Sequence, residues 1–135
     1  MKIKLIDKGA SKLPERAHYN DSGADVFAMQ DVTIWPRTVE AVPTGWGAKI
    51  PDGYDIIVHC KSGLSQRGIL AANAPIDAGY TGEIHAILYN VGSTPIKINA
   101  GEKIGQFVVR PVVYADFVMD LGNDRGTDAF GSTGR

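Results

Sequence analysis

Ala24-Asp25-Val26-Phe27-Ala28-Met29-Gln30-Asp31-Val32-Thr33-Ile34-Trp35 is the longest run in this chain of 135 residues without a glycine or a proline. Its reading decides the fold. Val26, Phe27, Val32, Thr33, Ile34 and Trp35 are β-branched or aromatic, types that fit a pleated strand better than a helix. Sixteen glycines and seven prolines punctuate the chain, so an ordinary long helix has little room anywhere else. Working outward, strand-like segments recur at short intervals over residues 2–6, 32–35, 38–42, 54–60, 83–90, 96–98 and 103–109. Several alternate apolar and polar side chains, as in Lys2-Ile3-Lys4-Leu5 and Ile96-Lys97-Ile98-Asn99. Turn signals separate them: Pro43-Thr44-Gly45, Pro51-Asp52-Gly53, Gly92-Ser93-Thr94-Pro95 and Ala100-Gly101-Glu102. Short strands with regular turns predict an all-β domain, a jelly-roll-like distorted barrel. No internal repeat or interdomain linker interrupts it.

Composition narrows the function classes. Hydrophobic content of 44% with 21% charged residues is that of a globular domain with a real core. A net charge of −1 argues against a broad nucleic-acid-binding surface. The single cysteine, Cys60, excludes an internal disulfide and fits a reducing compartment. His18, His59 and His85 lack metal-ligand spacing. No apolar run reaches membrane-spanning length, and Met1-Lys2-Ile3-Lys4 is too polar for a signal peptide. A cytoplasmic location is expected, or the host cytosol for a viral protein, with no membrane and no nucleic acid as partner.

Chemistry concentrates in a few places. In Ala74-Pro75-Ile76-Asp77-Ala78-Gly79-Tyr80-Thr81-Gly82-Glu83-Ile84, one carboxylate, one aromatic and one further acid sit inside a frame of proline and glycine. Taken alone, the same stretch also reads as a turn whose Asp bonds nearby backbone and whose Tyr packs on the core. Lys61-Ser62-Gly63-Leu64-Ser65 offers a basic side chain, a hydroxyl and a glycine at a strand end. These suit an anion, with Ser62 able to cap a short helical turn. Gly101-Glu102-Lys103-Ile104-Gly105-Gln106 also reads as a plain hairpin with Gln106 satisfied by backbone. The end of the chain combines Arg125, several glycines, Ser132 and Thr133 around Phe130, which is phosphate-binding chemistry with an aromatic plate. It lacks the Gly-Lys-Ser/Thr of a P-loop and has no apolar periodicity. We expect residues 1–121 to form the β domain and 122–135 a mobile C-terminal arm.

In their order along the chain these signals resemble the five motifs of the trimeric dUTPase family. Ser22-Gly23-Ala24-Asp25-Val26 is similar to the first, Lys61 to Ser65 to the second, and Ile76 to Ile84 to the third. Gly101 to Gln106 is similar to the fourth, and Arg125-Gly126 through Phe130-Gly131-Ser132-Thr133-Gly134 to the fifth. Asn90 also sits where the family places an asparagine, at the end of the strand that follows the third motif.

The resemblance implies hydrolysis of dUTP to dUMP and pyrophosphate, with Mg²⁺ on the triphosphate. This limits uracil incorporation into DNA and supplies dUMP for dTMP synthesis. By motif, Asp77 would activate the water that attacks the α-phosphorus. A carboxylate is a weak base, so positioning and charge neutralisation should supply most of the rate. Tyr80 would pack under the deoxyribose and leave no room for a 2′-hydroxyl. Lys61, Ser62, Gly63 and Gln106 would bind phosphates; Lys61 stands where many members have Arg, replacing a fork by a point charge. Asp25 would reach the metal through water. Ile76 would contribute to reading uracil, in a hairpin over residues 68–76 that is shorter than in most cellular members. Arg125 would pair with the terminal phosphate, Phe130 would stack on the base, and Gly131, Ser132 and Thr133 would donate to phosphate. A homotrimer is implied, with each site assembled from several chains. Phe117-Val118-Met119 would then belong to a crossover or interface. A dCTP deaminase shares this fold, but its chemistry needs an acid in the strand after the third motif. Ile84-His85-Ala86-Ile87-Leu88-Tyr89-Asn90 has none. A nucleotide-sensing regulatory protein on the same fold is the alternative from another class.

Overall fold

The computed structural model describes residues 1–10 and 12–122. Within them the chain runs through nine strands and one helical turn. The first strands are β1 (Lys4–Asp7), β2 (Ala24–Phe27), β3 (Val32–Ile34), β4 (Val39–Lys49) and β5 (Tyr54–His59). After α1 (Ser62–Ser65) come β6 (Ile69–Ala71), β7 (Ile84–Asn90), β8 (Ile96–Ile98) and β9 (Lys103–Pro111). Every pairing is antiparallel. The strands make three sheets, ordered β1-β4-β7-β6, β2-β9-β5 and β3-β8, and do not close into a continuous barrel. The all-β jelly-roll character stands. Short strands that switch sheets leave edges, so the ladder does not run round continuously.

Side-chain alternation puts one face of each long strand inside. On β7, Ile84, Ala86, Leu88 and Asn90 are buried, while His85, Ile87 and Tyr89 are half-buried on the other face. Ile34, Ile56, Ile69, Ile98 and Ile104 join them in the core, each shielded at about 1.5–3 kcal/mol per side chain. Asn90 is the one fully shielded polar side chain of the strand and is satisfied. Its Nδ2 donates to Ile34 O and Thr94 O, both at 2.9 Å, and Gly92 N donates to its Oδ1 at 2.9 Å. The asparagine therefore ties β3, β7 and the following turn together.

Pro43-Thr44-Gly45 is not the turn its composition predicts. β4 runs straight through it, with a bulge opposite β7 between Pro43 and Trp46. Thr44 Oγ1 donates to Ile84 O at 2.6 Å and accepts from Trp46 N at 3.2 Å, while Gly45 N donates to the Glu83 carboxylate at 3.0 Å. Side chains thus replace the ladder bonds that the bulge interrupts. β6 falls in a segment not singled out as a strand from sequence, whereas β2 lies in the run whose Val26 and Phe27 favour a strand.

Two features of this fold position the chemistry. The β5–β9 ladder runs from Tyr54↔Pro111 to His59↔Gln106, and the isolated bridge Ile56↔Ile76 joins the segment before Asp77 to the first half of β5. Beyond β9 the described residues make no strand. Val113, Tyr114, Phe117, Val118, Met119 and Leu121 are all exposed, Phe117 at 98%. Tyr114 is held by its hydroxyl, which accepts from Gly53 N at 2.8 Å.

Candidate functional site

The residues singled out from sequence gather at two places. At the first, Asn73, Ala74, Pro75, Ile76, Asp77, Tyr80, Glu83 and His85 line a cavity of about 320 Å³. Ile76 exchanges both backbone hydrogen bonds with Ile56, at 2.8 and 3.1 Å. Its amide is thereby committed to the fold, and its side chain is what it offers the cavity. Asp77 follows at once and is exposed; a turn closed by Tyr80 N donating to Asp77 O at 3.1 Å brings the aromatic back beside it. Gly79, at φ +92°, makes that turn possible. The Tyr80 hydroxyl donates to Glu83 O at 2.9 Å. Since the Glu83 carboxylate is bound to the β4 bulge, the ring is braced by β4 and remains about half exposed on its cavity face.

At the second place, Lys61, Gly63, Leu64, Arg67, Gly101, Glu102 and Lys103 surround a cavity of about 440 Å³. Three cations face one carboxylate there, a balance suited to a polyanion. Lys61, not Ser62, is the N-cap of α1, and no side chain caps it. Ser62 is instead the exposed first residue of the turn, where first-turn amides have no partner within the helix. The reason is local: Lys61 holds extended backbone (φ −79°, ψ 141°) as the chain leaves β5, and this displaces the cap by one residue.

Asp25, Gln106 and His59 stand in one cross-strand row of the β2-β9-β5 sheet. Asp25 pairs with Lys103 at 3.0 Å, and Gln106 Nε2 donates to Cys60 O at 3.3 Å, as its bland reading anticipates. A Cβ on Gly23 would collide with the Gln106 carboxamide, so glycine here leaves room for that side chain where it lies. The first, second and fourth motifs thus converge on one end of the ladder.

The two places do not merge within one chain. At roughly 3.3 Å per residue, the path along β5 from Ile56 to Lys61 separates them by about 16 Å. Near the first, Asp55 is buried and receives a fork from Arg110, Nε to Oδ1 at 3.2 Å and Nη2 to Oδ2 at 3.0 Å. That hydrogen bond holds the Arg110 guanidinium above its ordinary range; desolvation opposes it, and the opposite charge of Asp55 adds a smaller upward push.

Among the described residues no group of three or more His, Cys, Asp or Glu side chains is placed to hold a metal. No described helix is long and apolar enough to cross a membrane. Arg125, Phe130, Gly131, Ser132 and Thr133 lie outside the described residues. Sequence reasoning assigned no role to Lys103 and Arg67, which line the basic cavity, or to Glu83, noted only as a further acid, which braces Tyr80. Lys103 stood inside a recognised motif; Arg67 carries no local signal beyond its charge.

A family model described as dUTPase matches residues 10–134. The chain is 43% identical over 129 residues to the deoxyuridine 5′-triphosphate nucleotidohydrolase of Thermobifida fusca, covering 90% of this chain and 72% of that protein. It is 38% identical over 141 aligned residues to the same-named protein of Clostridium tetani, covering 100% and 97%. A dUTPase from phage phi11 of S. aureus, whose structure details coordination of a structural Mg(II) ion, superposes with a TM-score of 0.83. Identity there is 21%, over 92% of this chain and 99% of that one.

Proposed function

The chain belongs to the dUTPase family, and on that premise we propose that it hydrolyses dUTP to dUMP and pyrophosphate with Asp77 orienting the attacking water. What supports this reading is the division of labour between the two cavities. One end of the β5–β9 ladder collects Lys61, Gly63, Arg67 and Lys103 around space for a triphosphate. The other end presents Asp77 and Tyr80 beside a mostly apolar recess fit for a base and sugar. With Ile76 committed to β5, its side chain walls the base. Tyr80, braced through Glu83, walls the sugar.

A site holding both halves needs more than one chain, since about 16 Å of strand lies between them. We propose a homotrimer in which a neighbour's Asp77 and Tyr80 meet the Lys61, Ser62, Gly63, Gln106 and Asp25 of another copy. Arg125, Phe130, Gly131, Ser132 and Thr133 then close over the nucleotide as an arm from residues 122–135, on a β domain of residues 1–121. Mg²⁺ fits this donor set as a passenger of the triphosphate. The ion keeps several waters and takes oxygens from phosphate, and Asp25, with one oxygen engaged by Lys103, retains a second that can accept from metal-bound water. Bound there, Mg²⁺ would offset charge on the phosphates; holding the triphosphate in register falls to Lys61, Ser62, Gly63 and Gln106.

Pyrophosphate release from dUTP, dCTP, dTTP and UTP, measured with Mg²⁺, tests the reading. Release from dUTP far above the other three is expected. Release from dCTP without release from dUTP would overturn it.

A further inference from the structure

Residues 73–76 cross from one sheet to another, and both ends of the crossing are pinned. Ala72 N makes the last backbone bond of the β6–β7 ladder, donating to Ile87 O at 2.7 Å. One residue later the Asn73 side chain takes over. Its Nδ2 donates to His85 O at 2.8 Å, and Ile87 N donates to its Oδ1 at 2.8 Å. These two groups flank Ala86, so the carboxamide stands in for the N–H and C=O of one more strand residue. At the far end Ile76 is locked to Ile56 of β5 through both of its backbone groups. Between the anchors, Pro75 has no N–H, and the Ala74 backbone makes no hydrogen bond among the described residues. Among the described residues, hydrogen bonds hold the crossing only at its two anchors, and Asp77 follows directly from it.

We propose that Asn73 is a positioning residue: without touching the substrate, its carboxamide sets the crossing that shapes the base cavity and presents Asp77. Discrimination at the pyrimidine ring therefore depends on it. The proposal rests on the dUTPase reading. Asn73 lines the cavity itself, which makes a direct reader of the base the rival role. The two roles differ in outcome. A reader that exchanged its amide for a carboxylate would recruit the base with an amino group in place of a carbonyl. A positioning residue that is weakened loosens the cavity toward every rival base at once.

The test compares kcat and KM on dUTP, dTTP and dCTP for the full-length protein, Asn73→Ala and Asn73→Asp. Removing two neutral hydrogen bonds should lower the preference for dUTP over both rivals together, by roughly tenfold in Asn73→Ala. Asn73→Asp, which keeps an acceptor for Ile87 N but loses the donor to His85 O, should fall less. The kcat on dUTP should drop with the preference, because Asp77 shares the anchor. An unchanged preference in Asn73→Ala, or a gain confined to dCTP in Asn73→Asp, would overturn the proposal. Amide hydrogen exchange on Asn73→Ser gives a readout independent of turnover. Faster exchange at Ile76, whose amide donates to Ile56 O, with Leu88 to Asn90 still protected, is expected; unaltered protection at Ile76 would refute it. A wild-type protein inert toward dUTP would count against the activity alone, leaving the exchange result to decide the anchor.

Discussion

Asp77 and Gln106 depend on backbone details more than on their own chemistry. Asp77 is an exposed carboxylate carried on a segment whose only backbone bridge is Ile76 to Ile56. Asp77→Asn keeps its size and the fold, and should bind a non-hydrolysable dUTP analogue normally while kcat falls by about 10²–10⁴. Calorimetric titration and pyrophosphate release check the two halves, and full turnover would remove Asp77 from the mechanism. Gln106 is seated by the bare Cα of Gly23. Gly23→Ala should push the carboxamide off Cys60 O, raising KM for dUTP several-fold at unchanged thermal stability or slightly below it. Steady-state kinetics beside a melting curve would show it, and an unaltered KM would mean that Gln106 is a hairpin residue only.

Among the elements, β4 and the chain's end carry the clearest expectations. Thr44 is 2% exposed and makes both of its hydrogen bonds across the bulge. Thr44→Val conserves shape yet strands Ile84 O and Trp46 N, and should cost about 1–3 kcal/mol of stability, read as a lower denaturation midpoint. The disturbance should reach Tyr80, since Gly45 N holds Glu83 in the same bulge. Deleting residues 123–135 should leave a folded assembly with poor activity; loss of folding would make that segment structural. The strands were legible in sequence because β-branched runs such as Val32-Thr33-Ile34 and alternations such as Ile96-Lys97-Ile98 report burial directly. The bulge was not. Pro43-Thr44-Gly45 has the composition of a turn, and only the distant carboxylate of Glu83 and carbonyl of Ile84 make it a strand. Ser62 failed as a cap for a similar reason, because the exit angle of β5 gives that position to Lys61. Of the site, the motif residues were visible as chemistry, but their separation along β5 depends on the Ile56–Ile76 bridge, which no local pattern announces.

For the whole molecule, that separation has a measurable consequence. Asp77→Asn and Lys61→Ala should each be nearly inactive alone. When the two are unfolded together and refolded as a mixture, sites drawing Asp77 from one chain and Lys61 from another should recover about a quarter of wild-type activity. No recovery would place a complete site within one chain. The fork from Arg110 to Asp55 keeps β5 and β9 registered beside Ile56, so Arg110→Ala should lower the melting temperature without abolishing exchange between chains. With sites shared between chains as proposed, and the ladder a strut that cannot shorten, a lone chain would have no route to a working site however well it folds. Catalysis then acquires a threshold in protein concentration: dilution past the association midpoint would silence the enzyme with every strand intact, and nucleotide bridging two chains would lower that threshold, so that substrate helps assemble its own catalyst.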